Sequence, residues 1–163
     1  MPDMQKISNE ITDIADKTAG LSELKTELKA ELKTELKAEL KGKRIGFALT
    51  GSFCTFARVL KVIQTLAGAG AMVQPILSYA SSQSDTRFMK ARDLADQLES
   101  ITGHAPWTTL QQVEPIGPQR KVDILVVAPA TGNSMAKLAH GVADTPALLA
   151  VKSTLRNGSP VVI

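Results

Sequence analysis

The stretch from Asp123 to Asp144 constrains the fold more than any other part of the chain. The apolar run Ile124-Leu125-Val126-Val127 leads into Ala128-Pro129 and the small polar turn Ala130-Thr131-Gly132-Asn133-Ser134. A helical segment follows and ends near Gly141. The apolar run reads as a buried strand. A strand, a tight turn and a helix N-terminus in succession form an anion or cofactor site on an open α/β sheet, because unpaired N–H groups and the helix dipole both favour negative charge there.

The rest of the chain beyond Gly42 repeats this alternation. Arg44–Thr50 reads as a strand, followed by a helix over about Thr55–Ala69 with Val59, Leu60, Ile63 and Leu66 on one face. Met72–Leu77 is a second strand. A helix over about Arg87–Thr102 carries Phe88, Ala91, Leu94, Ala95 and Leu98 at helical spacing. A proline-rich loop then leads to the strand Val122–Val127, a helix over Asn133–His140, another over about Ala147–Leu155, and the strand Val161–Ile163. Alternating strands and helices imply a doubly wound parallel sheet of the Rossmann or flavodoxin-like, three-layer kind. Its ligands bind at the carboxyl ends of the strands. The chain stops inside a core strand, so the expectation is an α/β domain over residues 42–163 that is incomplete at its C-terminus.

Residues 1–41 differ in kind. They hold no aromatic residue, and Leu24, Leu28, Leu32, Leu36 and Leu40 recur every four residues. On a helix each leucine is rotated about 40° past the last, so the apolar stripe spirals and makes no heptad seam. Glu23, Glu27 and Glu31 meet like charges at i,i+4, as do Lys25, Lys29 and Lys33. The residues are good helix formers. The tract reads as a low-complexity helical extension, with a docking or oligomerisation helix as the alternative.

Composition excludes several functions. A net charge of +3 and six aromatic residues, none interleaved with Lys/Arg runs, give no reason to expect nucleic acid. No apolar run approaches the roughly 20 residues needed to span a bilayer, and no secretory signal opens the chain. One cysteine, Cys54, fits a reducing cytoplasm and reads as a small core residue, with a reactive thiolate in the first helical turn as the alternative. His104 and His140 lack partners at ligand spacing, so no metal site is expected. No catalytic residue is identifiable.

Thr50-Gly51-Ser52 sits where the first strand meets the first helix. Backbone N–H groups and the Ser52 hydroxyl suit a phosphate, and a plain helix cap at Ser52 or Thr55 suits the same residues. Neither a G-x-G-x-x-G fingerprint nor a P-loop is present. Ser78, ending the second strand, is a second phosphate ligand or a turn residue. Thr131, Asn133 and Ser134 occupy the turn after Pro129, where Asn133 offers a donor and an acceptor or else caps the helix. Arg87, beside Thr86 at a helix start, suits bidentate binding of a carboxylate, with an ordinary surface arginine as the alternative.

The turn Ala128-Pro129-Ala130-Thr131-Gly132-Asn133-Ser134, followed by Lys137, Ala139, Gly141, Ala143 and Asp144, resembles the Pro-Ala-Ser-Ala-Asn-Thr signature of the flavoprotein superfamily, which includes homo-oligomeric FMN-containing cysteine decarboxylases. The resemblance implies that Gly51, Ser52, Phe53 and Ser78 hold an FMN phosphate. It also implies that Ala130, Thr131, Asn133 and Ser134 form the rest of the cofactor site, with Asn133 touching flavin or substrate. Further segments resemble the B-subunit family of dipicolinate synthases from spore-forming bacteria. They are Lys41–Phe47, Leu49–Ser52, Pro75–Tyr79, Thr86–Phe88, Glu114–Pro118 and Lys152–Gly158. The likeness covers about residues 41–163.

That family implies a cytoplasmic protein of the mother cell. It would act with the A subunit of dipicolinate synthase to oxidise a dihydrodipicolinate-type precursor to dipicolinate during sporulation. NADP would be served through that partner, and Arg87 and Asn133 would meet the substrate. The decarboxylases carry an active-site histidine shortly before the strand leading to the Pro-Ala signature. Here that place reads Val113-Glu114-Pro115-Ile116, which weakens an independent FMN-dependent decarboxylase as the reading. A cofactor-free scaffold for the A subunit is the remaining alternative.

Overall fold

The computed structural model describes residues 26–28, 30–32, 34–35 and 37–163. The chain divides into two units, Met1–Glu39 and Leu40–Ile163. In the first, the described residues are helical, and Leu28 and Leu32 are more than half exposed. Leu24 and Leu36 of the leucine repeat, with Glu23, Lys25, Lys29 and Lys33, lie outside the described residues.

The second unit is a four-stranded, wholly parallel sheet. Its strands are β1 (Arg44–Leu49), β2 (Met72–Leu77), β3 (Ile124–Val127) and β4 (Val161–Val162), in the order β2-β1-β3-β4. Trp107 extends the β2 edge by one bridge, donating its N–H to Pro75 O and accepting at its carbonyl from Leu77 N–H. Alternate residues of each strand face opposite sides. Ile45, Phe47 and Leu49 join Val73 and Leu77 under helices α1 (Phe56–Gly68) and α3 (Ala91–Thr102). Ala48, Ile76, Leu125 and Val127 face the other way, under α4 (Leu110–Val113), α5 (Ile116–Gln119) and α7 (Pro146–Arg156). This is the doubly wound three-layer fold expected from the alternation of elements.

Three local departures have physical reasons. The helix expected from Arg87 begins at Ala91. Thr86 Oγ1 accepts from the N–H groups of Phe88 and Met89, closing a turn, and Asp85 accepts from Ala91 N–H. Phe88 therefore lies outside the helical stripe and is 52% exposed. The five-residue helix α2 (Tyr79–Gln83) follows β2 with Ser78 as its cap, too short to leave a periodic signal. The proline-rich loop contains α4 and α5, and α4 is announced by a Thr109/Gln112 capping box.

β1 turns its small residues toward the α7 face. A Cβ on Gly46 would lie 2.6 Å from Leu125 Cδ1 and 3.1 Å from Val122 Cγ1. Gly46→Val should therefore lower stability by about 1–3 kcal/mol through overpacking, read as a lower urea midpoint at unchanged slope.

Asp123 sets the start of the β1–β3 pairing. It accepts from Arg44 N–H at 2.9 Å and from the guanidinium at 2.6 and 3.3 Å, while Asp123 N–H donates to Arg44 O. Both side chains are about two-fifths exposed, so the ion pair itself adds modestly and the backbone bonds do the registering. The Arg44 side-chain and backbone donors hold the Asp123 carboxyl below the usual carboxylate range. A pKa lower in the folded than in the unfolded chain contributes stability that is present above about pH 4 and lost as pH falls through the folded value. Asp123→Asn should be less stable than the native chain at neutral pH and lose less on acidification below about pH 4, measured by urea unfolding across pH.

Candidate functional site

β1 pairs with β2 on one edge and β3 on the other, so the chain leaves β1 and β3 in opposite directions. The crevice outside their carboxyl ends is where an open α/β sheet binds ligands. A cleft of about 240 Å³ lies there. Gly51 and Phe53 come from the turn after β1, Ser78 and Ala80 from the turn after β2. Thr131, Asn133, Ser134 and Lys137 come from the start of α6 (Gly132–Ala139), and Thr145 and Leu148 from the start of α7.

Thr50 holds two of these walls together. Nearly fully buried, it donates from Oγ1 to Pro129 O at 2.6 Å and accepts from Thr131 N–H at 3.0 Å, while its own N–H donates to Pro129 O. The turn after β1 is not a side-chain helix cap. Ser52 Oγ makes no capping bond, and Thr55 Oγ1 donates to Ser52 O instead. Ser52 N–H is spent on Thr50 O, whereas the N–H groups of Gly51, Phe53 and Cys54 meet no acceptor among the described residues. A Cβ on Gly51 would sit 3.3 Å from Ala80 Cβ, so any larger residue narrows the mouth. The Phe53 ring meets Phe56 edge-on at 5.5 Å, anchoring the turn to the core.

The hydroxyls opposite are partly committed. Ser78 Oγ caps α2 by accepting from Ser81 N–H and lies 2.9 Å from Ser81 Oγ. When Ser81 donates to Leu49 O, Ser78 is the donor in its contact with Ser81; the Ser78 proton is free for a ligand when Ser81 donates to Ser78 Oγ instead. Thr131, not Asn133, caps α6, accepting from Ser134 N–H. The Asn133 amide is exposed at the cleft and has no partner among the described residues. Lys137 donates to Asp144 at 2.6 Å, which holds that carboxyl below its usual range and ties α6 to the segment before α7.

Gly51, Phe53, Ser78, Thr131, Asn133 and Ser134 thus converge on one cleft, with Ser52 half-buried in the same turn. Ala130 does not line it and packs on the α7-side core. Arg87 does not line it either. It is exposed in the loop between α2 and α3, with its guanidinium 4.7 Å from the Phe88 ring centroid. Cys54 is exposed, not a core residue, because the turn after β1 carries it outward before α1 begins. Ala80, Lys137, Thr145 and Leu148 are cleft residues that sequence reasoning does not assign to the site. Thr145-Pro146 carries a cap-and-proline helix start that marks the cleft rim, while Leu148 carries no signal. Among the described residues no three His, Cys, Asp or Glu side chains gather as a metal site, and no helix is long and apolar enough to cross a membrane.

A model of the family described as Flavoprotein matches residues 33–163. The chain belongs to the flavoprotein family. This flavoprotein-family chain is 43% identical over 122 residues to the B subunit of dipicolinate synthase from Bacillus subtilis, an overlap of 75% of the chain and 61% of that protein. It therefore spans less than two thirds of the relative's length. The crystal structure of the dipicolinate synthase B subunit from Bacillus halodurans superposes with a TM-score of 0.66 at 38% identity, over 75% of the chain and 63% of the other. Burkholderia xenovorans DmrB, solved with FMN as a cubic protein cage for redox transfer, shares the fold. Its TM-score is 0.60 at 21% identity, over 73% and 63% of the two chains.

The free N–H groups, the uncommitted Ser52 hydroxyl and the bare Gly51 fit the phosphate end of a flavin nucleotide. A volume of about 240 Å³ is below the roughly 300–1,000 Å³ of sites that enclose a whole ligand. Thr50→Val should cost about 1–3 kcal/mol, since it leaves the Thr131 N–H unpaired. Thr50→Ser should retain most of the stability, with thermal unfolding as the comparison.

Proposed function

We propose that this flavoprotein-family chain acts as the B subunit of a dipicolinate synthase. With its A-subunit partner it would oxidise a dihydrodipicolinate-type precursor to dipicolinate during sporulation. The observation that carries the reading is the 43% identity to a dipicolinate synthase B subunit, joined to a switch-point cleft of the right chemistry. FMN is the proposed cofactor, and it supplies reversible redox chemistry when bound.

The chain's own residues have assigned tasks. Gly51 and Phe53 N–H, with the Ser52 hydroxyl, hold the phosphate, and the Ser78 hydroxyl adds a donor. Thr131 and Ser134 shape the opposite wall, with Ala130 behind it. The free Asn133 amide donates to and accepts from the flavin edge or the substrate. Lys137 contributes positive charge to the same wall. Arg87, exposed outside this cleft and without an ion pair among the described residues, is proposed to meet a substrate carboxylate from the loop between α2 and α3.

Hydride transfer to NADP falls to the A subunit, since no dinucleotide fingerprint is present in this chain. A homo-oligomer, in which a second copy would help to complete the cleft, is part of the proposal. The setting is the cytoplasm of the mother cell, and residues 1–41 are assigned as a helical extension separate from the domain at 42–163.

Titration of FMN into the purified chain, followed by quenching of flavin fluorescence, tests the site. Saturable binding that Gly51→Val abolishes is expected, and no binding leaves a cofactor-free scaffold. Dipicolinate formation by the A subunit, with and without this chain, tests the function. A strong dependence is expected, and Asn133→Ala should lower it by roughly tenfold or more at unchanged thermal midpoint. Full activity in that variant overturns the role given to Asn133.

A further inference from the structure

A second cavity, of about 660 Å³, lies on the α7 side of the sheet and shares no residue with the switch-point cleft. Its walls are the end of α5 and the outer face of α7. Two segments singled out in the sequence but given no task there, Glu114–Pro118 and Lys152–Gly158, contribute to opposite walls.

The walls are fixed relative to each other. Asn157 Nδ2 donates to the carbonyls of Ile116 and Gly117 at 3.0 and 2.9 Å, pinning the end of α7 to α5. Into this cavity face Arg120 from one side and Lys152 and Arg156 from the other, with Leu149 and Ser153 on the same α7 wall. None of the three cations makes an ion pair among the described residues. Glu114 is the one carboxylate on the lining.

All three cations, and Glu114, are exposed to solvent at this cavity. Lys152 and Arg156 are an i,i+4 pair of like charges on one helix face, which repel. The helix dipole accounts for Arg156 in the last turn, but not for two further cations gathered in the same cavity. Arg120 occupies the left-handed cap of α5 at φ +47°, a place usually filled by glycine.

We propose that this cavity binds a small polyanion, a molecule carrying two or three carboxylate or phosphate groups. Its volume lies within the range of ligand sites. Arg120 and Arg156 supply bidentate donors from opposite walls, Lys152 a point charge beside Arg156, and Ser153 a neutral hydroxyl. No aromatic side chain lines the cavity to stack a single-stranded base.

Calorimetric titration of the whole chain with citrate and with pyrophosphate, at about 0.15 M salt to screen diffuse attraction, tests the proposal. Saturable binding of at least one anion is expected. Arg120→Gln and Arg156→Gln should each weaken it roughly tenfold or more at unchanged thermal midpoint. Glu114→Gln should strengthen it, because it removes the only opposing charge on the lining. Gly51→Val, which narrows the switch-point mouth, should leave it in place, so this site and the flavin site fail or stand separately. The proposal is overturned if neither anion saturates, if the two arginine variants bind as the native chain does, or if only Gly51→Val abolishes binding. Binding of oligoglutamate with neither small anion bound would also overturn it, by reassigning the cavity to an acidic protein segment.

Discussion

The pairing of β1 between β2 and β3 is the constraint on which the rest of the molecule depends. A strand flanked on both edges by parallel neighbours has both its faces covered, so every residue of β1 after Arg44 is buried. The face toward α7 must then be thin, which is why Gly46 and Ala48 lie there and the bulk of Ile45, Phe47 and Leu49 points the other way. The same pairing makes the crevice, because the turns after β1 and β3 diverge above adjacent strand ends. Thr50 continues the β1–β3 contact past the last strand residue and fixes the distance between those turns.

The chemistry of the cleft follows from which polar groups are already committed. Thr131 and Ser78 spend hydroxyl acceptors on capping short helices, so their cap role and their presence in the cleft coexist. Ser52 and Asn133, which sequence considerations equally allow as caps, cap nothing. Their side chains stay unbonded among the described residues because Thr131 takes the capping task at α6 and the turn after β1 is a 3-10 turn without a side-chain cap. Donors therefore concentrate on the β1 side of the cleft and an amide and an ammonium on the α6 side. Lys137 is positioned by Asp144, whose carboxyl draws the ammonium toward the loop before α7. Membership of the flavoprotein family and this distribution of donors are the two observations on which the proposed flavin site rests.

Legibility in the sequence varied with the length of the signal. The four strands and helices α1, α3, α6 and α7 announce themselves by apolar periodicity, and they lie within a few residues of their expected places. The short helices α2, α4 and α5 do not, since four or five residues cannot display a period of 3.6. At Arg87 a local turn outcompeted the helix. Thr86 and Asp85 offered the backbone side-chain partners that an extra helical turn could not match. Cys54 shows the opposite limit, since its exposure depends on the direction of a turn that no propensity encodes.

Local sequence was enough to specify the alternation of strand and helix, the apolar faces of α1 and α3, and the small-residue turns after β1 and β3. These are matters of period, size and capping, which neighbouring residues decide among themselves. Long-range packing settled which hydroxyls are free, that Arg87 stands off the cleft while Lys137 and Leu148 line it, and that three cations face one cavity. Such facts depend on contacts between segments dozens of residues apart, as between Thr50 and Pro129 or Asn157 and Ile116. Only the folded sheet order brings those segments within hydrogen-bonding distance.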